Sequence, residues 1–144
     1  LSLVGTVAAN EQVEIKAETD GTVLEVLFEE GQQVEKGALL LKLDERKLIA
    51  SVNEAEANFK LSQANFDRAR ELQKDRLISQ QEFDQASAMF QMTEAGLELK
   101  RQQLRDTKIH APFDGIVSVR QVSPGQVIAR NATLTYLIDL DPVK

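Results

Sequence analysis

A short pattern of turn and strand residues occurs twice in this chain of 144 residues, and the repeat restricts the fold more than any other feature. Gly37 of the first copy falls opposite Asn131, and Asn is the residue other than Gly that best tolerates a positive φ angle. Two copies of one structural unit are therefore expected, one near each end of the chain. The copies align without a gap at an offset of 94 positions (114 minus 20), and their turn residues coincide: Asp20-Gly21 with Asp114-Gly115, and Gly31-Gln32 with Gly125-Gln126.

Each copy shows the alternation of apolar and polar residues that is typical of short β-strands. The alternation is clear at 13–17 and 21–26 in the first copy, and at 115–119 in the second. One half of a sandwich would expose its apolar face, so the two copies are expected to pair face to face around one core. The expected core positions come from both copies: Val23, Val26, Leu40, Leu43, Val117, Val119, Leu134 and Leu137.

Residues 45–106 separate the two copies and have a helical composition. They contain no Pro and one Gly, and they are rich in helix-forming residues. Apolar residues recur at alternating intervals of four and three, the heptad pattern, which predicts two antiparallel helices at about 45–75 and 79–106. In one register Phe66 faces Phe90 and Phe59 faces Leu97, while Phe83 faces Leu72. The predicted seam of this hairpin is formed mainly by Phe59, Phe66, Phe83, Phe90 and Leu97.

The ends of the predicted helices carry their own signals. Ser79 followed by Glu82 fits a capping box, in which Ser79 is the N-cap of the second helix and Glu82 is its N3 residue. Asp44 stands in the position to cap the first helix. The turn between the helices is therefore predicted to be short and well defined.

Composition argues against several classes of function. The chain has 17 Lys and Arg against 23 Asp and Glu, and a nucleic-acid binder would show a basic surface rather than this net charge of −6. It has no Cys, and with His110 as the one histidine a catalytic triad or a multi-histidine metal site is hard to build. We therefore expect no enzyme activity, cofactor, metal or nucleic-acid partner.

The segment Thr107–Val117, with the sequence TKIHAPFDGIV, looks like the signature T-x-I-x-A-P-F-D-G-x-V of a known family. That family comprises the periplasmic adaptor subunits of tripartite efflux pumps, the membrane fusion proteins of the HlyD type. Two half-motifs that form a small sandwich also resemble a biotinyl or lipoyl domain. In the adaptors a helical hairpin is inserted between the halves, and here the joint at residues 44–47 opens into the predicted helices.

The resemblance implies an α+β fold: a lipoyl-like, barrel-sandwich hybrid β domain of two half-motifs, interrupted by a long antiparallel two-helix coiled-coil hairpin. The chain is expected to be the central piece of a longer protein whose membrane attachment lies elsewhere. The implied segments are a strand from a β-barrel domain at 1–10, the first half-motif at 11–44, the hairpin at 45–106, the second half-motif at 107–138 and a lead-in to the β-barrel at 139–144.

The resemblance also implies a function without catalysis. Adaptors of this family lie in the periplasm and link an inner-membrane transporter, here expected to be of the resistance–nodulation–division (RND) type, to an outer-membrane exit duct. Export of drugs or other small molecules and self-association, expected to be hexameric, follow from the same resemblance. The family's duct-docking motif is Arg, three residues, Leu, six residues and Ser, and Arg68, Leu72 and Ser79 have this spacing near the hairpin tip.

Other readings stay open on the sequence. A carrier domain of an acyl- or carboxyl-transfer enzyme would present a lysine at a tight turn between the halves, and Lys47 is the lysine nearest that joint. An adaptor of an ABC-type export system or of a protein-secretion system would share the sandwich, and a longer hairpin would be expected for the secretion adaptor. A generic coiled-coil scaffold would leave the repeated strand pattern unexplained.

Overall fold

The structure, a computed structural model, describes residues 11–139 of the chain. The chain divides into two compact units: a β unit formed by 11–44 together with 106–139, and a helical unit formed by Glu45–Arg105. The segment 1–10, for which a strand is predicted, and most of the lead-in at 139–144 lie outside the described residues. Each unit is described by itself below.

The β unit contains eight short strands, four on each side of the helical unit in the sequence. The helical unit consists of α1 (Arg46–Lys74) and α2 (Gln80–Arg105). The strands are β1 (Gln12–Lys16), β2 (Gly21–Val26), β3 (Gln33–Val34), β4 (Leu39–Leu43), β5 (Lys108–His110), β6 (Gly115–Val117), β7 (Val127–Ile128) and β8 (Thr133–Asp139).

The strands form two antiparallel four-stranded sheets that are related by the sequence repeat. One sheet has the order β1-β8-β6-β3 and the other has the order β5-β4-β2-β7. Replacing each strand by its repeat counterpart, β1 by β5 through β4 by β8, converts the first order into the second. Each sheet therefore takes two strands from each half of the chain. The predicted fold class, an α+β fold with a β domain of two half-motifs and a helical hairpin, is confirmed.

Backbone hydrogen bonds between the halves occur in symmetric pairs. The N–H of Ala17 donates to the carbonyl of Ala132, and the N–H of Ala111 donates to that of Ala38, each at 2.9 Å. These four alanines are two repeat pairs, because 17 and 111, like 38 and 132, are 94 positions apart. The repeat in the sequence is thus a repeat of cross-half contacts.

The turn residues of the repeat adopt the backbone conformation that the alignment predicts. Gly31 and Gly125 have φ angles of 83° and 87°, and Gly37 has a φ angle of 88°. Asn131, the counterpart of Gly37, has a φ angle of 72°. The prediction that Asn takes the place of Gly in a left-handed turn is confirmed, because few other side chains tolerate this region.

The core of the β unit contains apolar side chains from both halves, and seven of the eight expected positions belong to it or pack against it. The exception is Val119, which is 56% exposed, so its predicted place in the core is wrong. Strand β6 ends at Val117, but the chain stays bonded to β8, since the N–H of Ser118 donates to the carbonyl of Tyr136 and that of Gln121 to Leu134. Three positions of this segment thus lie opposite two of β8, which interrupts the alternation of buried and exposed side chains at Val119. Val122 lies further along and is buried instead.

The helical unit is held together by a ladder of aromatic rings. The Phe90 ring stacks between Phe59, with 5.5 Å between ring centroids, and Phe66, at 5.0 Å. Phe66 also contacts Phe83 at 5.8 Å. The four rings are half-buried, and Leu97 of the same seam is buried. Within residues 11–139, neither helix has the length and apolarity needed to cross a membrane.

A pair of hydroxyl groups interrupts the apolar seam. Ser62 is buried, and its hydroxyl is hydrogen-bonded to that of Thr93 on the facing helix. Each hydroxyl has a single proton, so one of the two donates to the other. The accepting hydroxyl donates its own proton to a carbonyl of its helix, Ser62 to Phe59 at 2.9 Å or Thr93 to Phe90 at 3.0 Å. The buried polar atoms are thus satisfied, as burial requires.

The start of α1 differs from the prediction. The N-cap is Glu45, not Asp44, and Glu45 makes no side-chain capping hydrogen bond. The N–H of Asp44 donates to the carbonyl of Thr22 at 2.8 Å, so the backbone of Asp44 is hydrogen-bonded to strand β2. The helical hydrogen bonds begin one residue later, where the N–H of Ile49 donates to the carbonyl of Glu45.

Candidate functional site at the hairpin tip

Helix α1 ends in a tight backbone motif that sets the direction of the turn. The N–H of Arg76 donates to the carbonyl of Gln73 at 2.9 Å, and the N–H of Leu77 donates to that of Leu72 at 2.8 Å. Arg76 has a φ angle of 55°. These bonds and the left-handed residue define a Schellman motif, in which Asp75 is the C-cap, Arg76 is C′ and Leu77 is C″.

Helix α2 begins with a capping box, which confirms the prediction from the sequence. The backbone N–H of Glu82 donates to the hydroxyl of Ser79 at 3.0 Å, and the N–H of Ser79 donates to the Glu82 carboxylate at 3.2 Å. The Ser79 hydroxyl also donates to that carboxylate at 3.1 Å. Two backbone donors at the helix start are therefore satisfied by the pair of side chains.

A polar bridge joins the two sides of the turn. The side-chain amide of Gln73, at the end of α1, donates to that of Gln80, the first residue of α2, at 2.9 Å. Gln80 in turn donates to Asp84 one helical turn further along, at 2.8 Å. Because Ser79 precedes Gln80 and Leu72 precedes Gln73, this bridge brings two residues of the predicted docking motif to the same end of the hairpin.

The three motif residues differ in exposure. Arg68 is exposed and donates to the side-chain oxygen of Asn65 at 3.0 Å. Leu72 is half-buried, one helical turn beyond Arg68 on the same face of α1. Ser79 is exposed beside its capping partner Glu82.

Other charges near the end of α1 are paired along the helix. Arg70 lies 3.3 Å from the Asp67 carboxylate and 5.5 Å from the centre of the Phe66 ring. Lys74 lies 3.4 Å from the Glu71 carboxylate. Among the described residues, Arg68 and Arg76 are in no ion pair within 4.0 Å, so their charges are available to a partner. A guanidinium in this situation can donate to carboxylates or to main-chain carbonyls.

The C-terminal motif of α1 could not be recognised from the sequence. A Schellman motif is usually signalled by Gly at C′, where the left-handed conformation has no steric cost. Here C′ is Arg76, and the sequence between Lys74 and Ser79 contains neither Gly nor Asn. The one feature of the motif that the sequence offered was the apolar residue Leu77 at the C″ position, and this feature alone is a weak indication.

The joint between the two halves is helical. Lys47 is exposed and lies in the first turn of α1. A carrier lysine would instead be presented on a tight turn between two strands. Within residues 11–139, no group of three or more His, Asp or Glu residues is arranged to hold a metal ion.

The model of the barrel-sandwich hybrid domain of RND membrane fusion proteins matches residues 11–140. The chain is 31% identical over 159 aligned residues to the multidrug resistance protein MdtA of Proteus mirabilis, covering 99% of this chain and 39% of MdtA. It is 29% identical over 143 residues to the antibiotic efflux pump periplasmic linker protein ArpA of Pseudomonas putida, covering 98% of this chain and 38% of ArpA. The chain thus spans about two fifths of the length of these curated relatives.

Solved structures have the same fold. A putative efflux transporter of Bacteroides eggerthii superimposes with a TM-score of 0.88 at 28% identity, over 90% of this chain and 40% of that one. A MacA–MexA chimera that contains the α-hairpin domain of Pseudomonas aeruginosa MexA gives 0.83 at 32% identity, over 90% and 48%. Together with the family match over residues 11–140, these results show that the chain belongs to the family of barrel-sandwich hybrid domains of RND membrane fusion proteins.

Proposed function

We propose that this chain is the sandwich and hairpin portion of a periplasmic adaptor that links an inner-membrane RND transporter to an outer-membrane exit duct. Its cargo is drugs or other small molecules, the class named for its relatives, which include a multidrug resistance protein and an antibiotic efflux linker. The observation that carries the proposal is the closed, capped turn of the hairpin, which has Leu72 and Ser79 beside it and Arg68 one helical turn before Leu72.

The docking role belongs to Arg68, Leu72 and Ser79. Arg68 supplies a guanidinium that is in no ion pair with the described residues, and Leu72 supplies an apolar surface one turn further along. Ser79 fixes the turn through its bonds with Glu82, so that the tip is rigid before a partner arrives. The expected partner surface at the end of the duct offers carboxylate or carbonyl oxygens beside an apolar patch.

Self-association of the adaptor is supported by a second set of apolar residues on the hairpin, at heptad positions opposite the seam. On both helices these residues are exposed. We propose that the α1 stripe of one copy packs against the α2 stripe of the next, a heterologous contact that closes into a ring, expected to be hexameric. The two stripes are Ala57, Leu61 and Ala64 on α1, and Ala88, Met92, Ala95 and Leu99 on α2.

The substitution Arg68→Asp in the full-length protein tests the docking role. An exposed charge change alters folding stability by about 0.5 kcal/mol or less, whereas like charges or unpaired groups at an interface cost several kcal/mol. Cells that carry the variant are therefore expected to lose drug resistance. The measurement is drug susceptibility, with circular dichroism of the purified protein to show that the helices remain.

Lys47→Asp is the matched control, since Lys47 is an exposed cation in the first turn of α1, at the end of the helix away from the tip. This variant should keep resistance. Wild-type resistance with Arg68→Asp would remove the docking role, and loss of helical signal with that variant would assign Arg68 to the stability of the hairpin instead.

A further inference from the structure

Two adjacent tip residues outside the docking motif have unusual features. Arg76 is one of two non-glycine residues with a positive φ angle in the described chain, and the other, Asn131, is explained by the repeat. Leu77, the next residue, has 68% of its surface exposed. The Schellman motif requires the left-handed backbone at Arg76 but not an arginine there, and it does not cover the side chain of Leu77.

The backbone at Arg76 is in a region that side chains with a Cβ atom avoid. Gly is the usual residue at the C′ position of a Schellman motif because it has no steric conflict there. A residue that is held in a disfavoured conformation at an exposed position suggests that its side chain has a use. The guanidinium of Arg76 forms no ion pair within 4.0 Å among residues 11–139, whereas the neighbouring cations Arg70 and Lys74 do.

The side chain of Leu77 is likewise left largely exposed by the contacts of the hairpin. In a Schellman motif the C″ residue often packs against C3, which here is Leu72. The backbone bond from Leu77 to Leu72 is present at 2.8 Å, yet Leu77 remains more exposed than Leu61 (63%) or Leu99 (57%) on the sides of the hairpin. The motif thus fixes the Leu77 backbone while leaving its apolar side chain in water, where contact with a partner would bury it.

We propose that Arg76 and Leu77 form a second docking element, which contacts the exit duct beyond the residues of the Arg-Leu-Ser motif. Arg76 donates to carboxylate or carbonyl oxygens at the rim of the duct, and Leu77 enters an adjoining apolar depression. This inference rests on the proposed function, since it assigns further contacts to the same interface. It implies that arginine, instead of the glycine usual at C′, is kept at this position for binding, whereas the turn itself needs only the left-handed backbone.

Binding of the full-length adaptor to the purified, detergent-solubilised exit duct of the same organism tests this element. Arg76→Gly removes the guanidinium and permits the left-handed backbone, so the thermal midpoint of the hairpin should stay the same or rise while affinity falls about tenfold or more. Leu77→Ala should also lower affinity about tenfold, with an unchanged midpoint. Arg76→Lys keeps the charge and should recover part of the affinity.

Leu24→Ala is the matched control, because Leu24 is an exposed leucine in the β unit. The Leu24→Ala variant should bind the exit duct with the affinity of the wild type. Wild-type affinity in both Arg76→Gly and Leu77→Ala would overturn the second docking element. A lowered midpoint in Arg76→Gly would overturn the binding role of Arg76, because the arginine would then serve the fold. The Arg68→Asp variant is measured in parallel. If it binds weakly while Arg76→Gly and Leu77→Ala bind like the wild type, only the second docking element fails; if all three bind like the wild type, the proposed docking interface fails as a whole.

Discussion

At the scale of single residues, the repeated Asp-Gly pair has a role that reaches across the molecule. The carboxylate of Asp20 accepts from the backbone N–H of Arg130 at 2.6 Å, and that of Asp114 accepts from the N–H of Lys36 at 2.7 Å. Each aspartate therefore stabilises a turn in the opposite half. The repeated Gln acts locally instead: the Gln32 side chain accepts from the N–H of Glu29 at 2.9 Å.

We expect Asp114→Ala to lower the free energy of unfolding of the β unit by about 1 kcal/mol, the net worth of a typical hydrogen bond. The residue is exposed, so the loss should not approach that of a buried charge. Urea denaturation measures it. Glu35→Ala, an exposed acid beside the same turn, should change stability by less than about 0.5 kcal/mol. Equal effects of the two variants would argue against the specific cross-half bond.

The lowered pKa of Glu14 makes the folding stability of the β unit depend on pH. The Thr133 hydroxyl donates to the Glu14 carboxylate at 2.6 Å and lowers its pKa below the usual 4.5, and the charge of Lys16 acts in the same direction. A lowered pKa in the folded state means that the stabilisation is present above the pKa of the unfolded chain and is lost as the pH falls through the folded value. The window therefore begins near pH 4.5 and extends downward.

Glu14→Gln should accordingly reduce the urea midpoint slightly at pH 7 and have less effect at pH 3, which lies below the usual pKa of 4.5, where the stabilisation is already being lost. The effect is expected to be small because the group is solvent-exposed. Glu18→Gln serves as the control. A difference between wild type and Glu14→Gln that stays constant from pH 7 to pH 3 would contradict the linkage.

At the scale of elements, the hairpin depends on a few large contacts in a narrow seam. Phe66 contacts two rings of α2, Phe90 at 5.0 Å and Phe83 at 5.8 Å. The helices carry exposed residues on their other sides, so few other apolar contacts can compensate for a loss there. The hydroxyl pair of Ser62 and Thr93 adds a polar contact that is satisfied in one register of the two helices.

Phe66→Ala is expected to destabilise the hairpin by less than the roughly 3 to 5 kcal/mol typical of core Phe→Ala substitutions, because the ring is half-buried. The outer part of the hairpin should lose order while the β unit stays folded, as the division into two compact units suggests. Hydrogen exchange reports on both units at once. The same loss of protection in the β unit and the hairpin would refute independent folding. As a control, Phe66→Leu should reduce protection of the hairpin less than Phe66→Ala does.

At the scale of the whole molecule, the interleaving of the halves makes neither half independent. Among residues 11–139, β1 pairs only with β8 and β3 only with β6, so both need the second half of the chain. The pairing of β2 with β4 is the one whose two strands both lie within the described part of the first half. A two-stranded ribbon is marginally stable at best in water.

A fragment of residues 1–43 is therefore expected to be unfolded. Circular dichroism should show no cooperative thermal transition for this fragment. Mixing it with a fragment of residues 106–144 should restore some strand signal, because the cross-half pairs can then form. A cooperative transition in the first fragment alone would contradict the interleaved core.

Local features of the sequence determined much of this protein. The turn conformations of Gly31 and Asn131, the helical character of residues 46–105 and the capping box at Ser79 each depend on neighbours a few positions away. Such preferences are set by sterics and by short-range hydrogen bonds, so they can be predicted from the residues alone. The repeat also indicated that two copies share one core.

Only the tertiary structure decided how those pieces combine. The repeat did not show that each sheet mixes both halves, that Asp20 stabilises the turn at Arg130, or that the segment beside β8 leaves Val119 exposed. Helix α1 has Glu45 rather than the predicted Asp44 as its N-cap, and the N–H of Asp44 bonds to strand β2, while Arg76 took a conformation that its residue type disfavours. In each case contacts between residues distant in the sequence, or the closure of the turn as a whole, outweighed a local preference of about 1 kcal/mol.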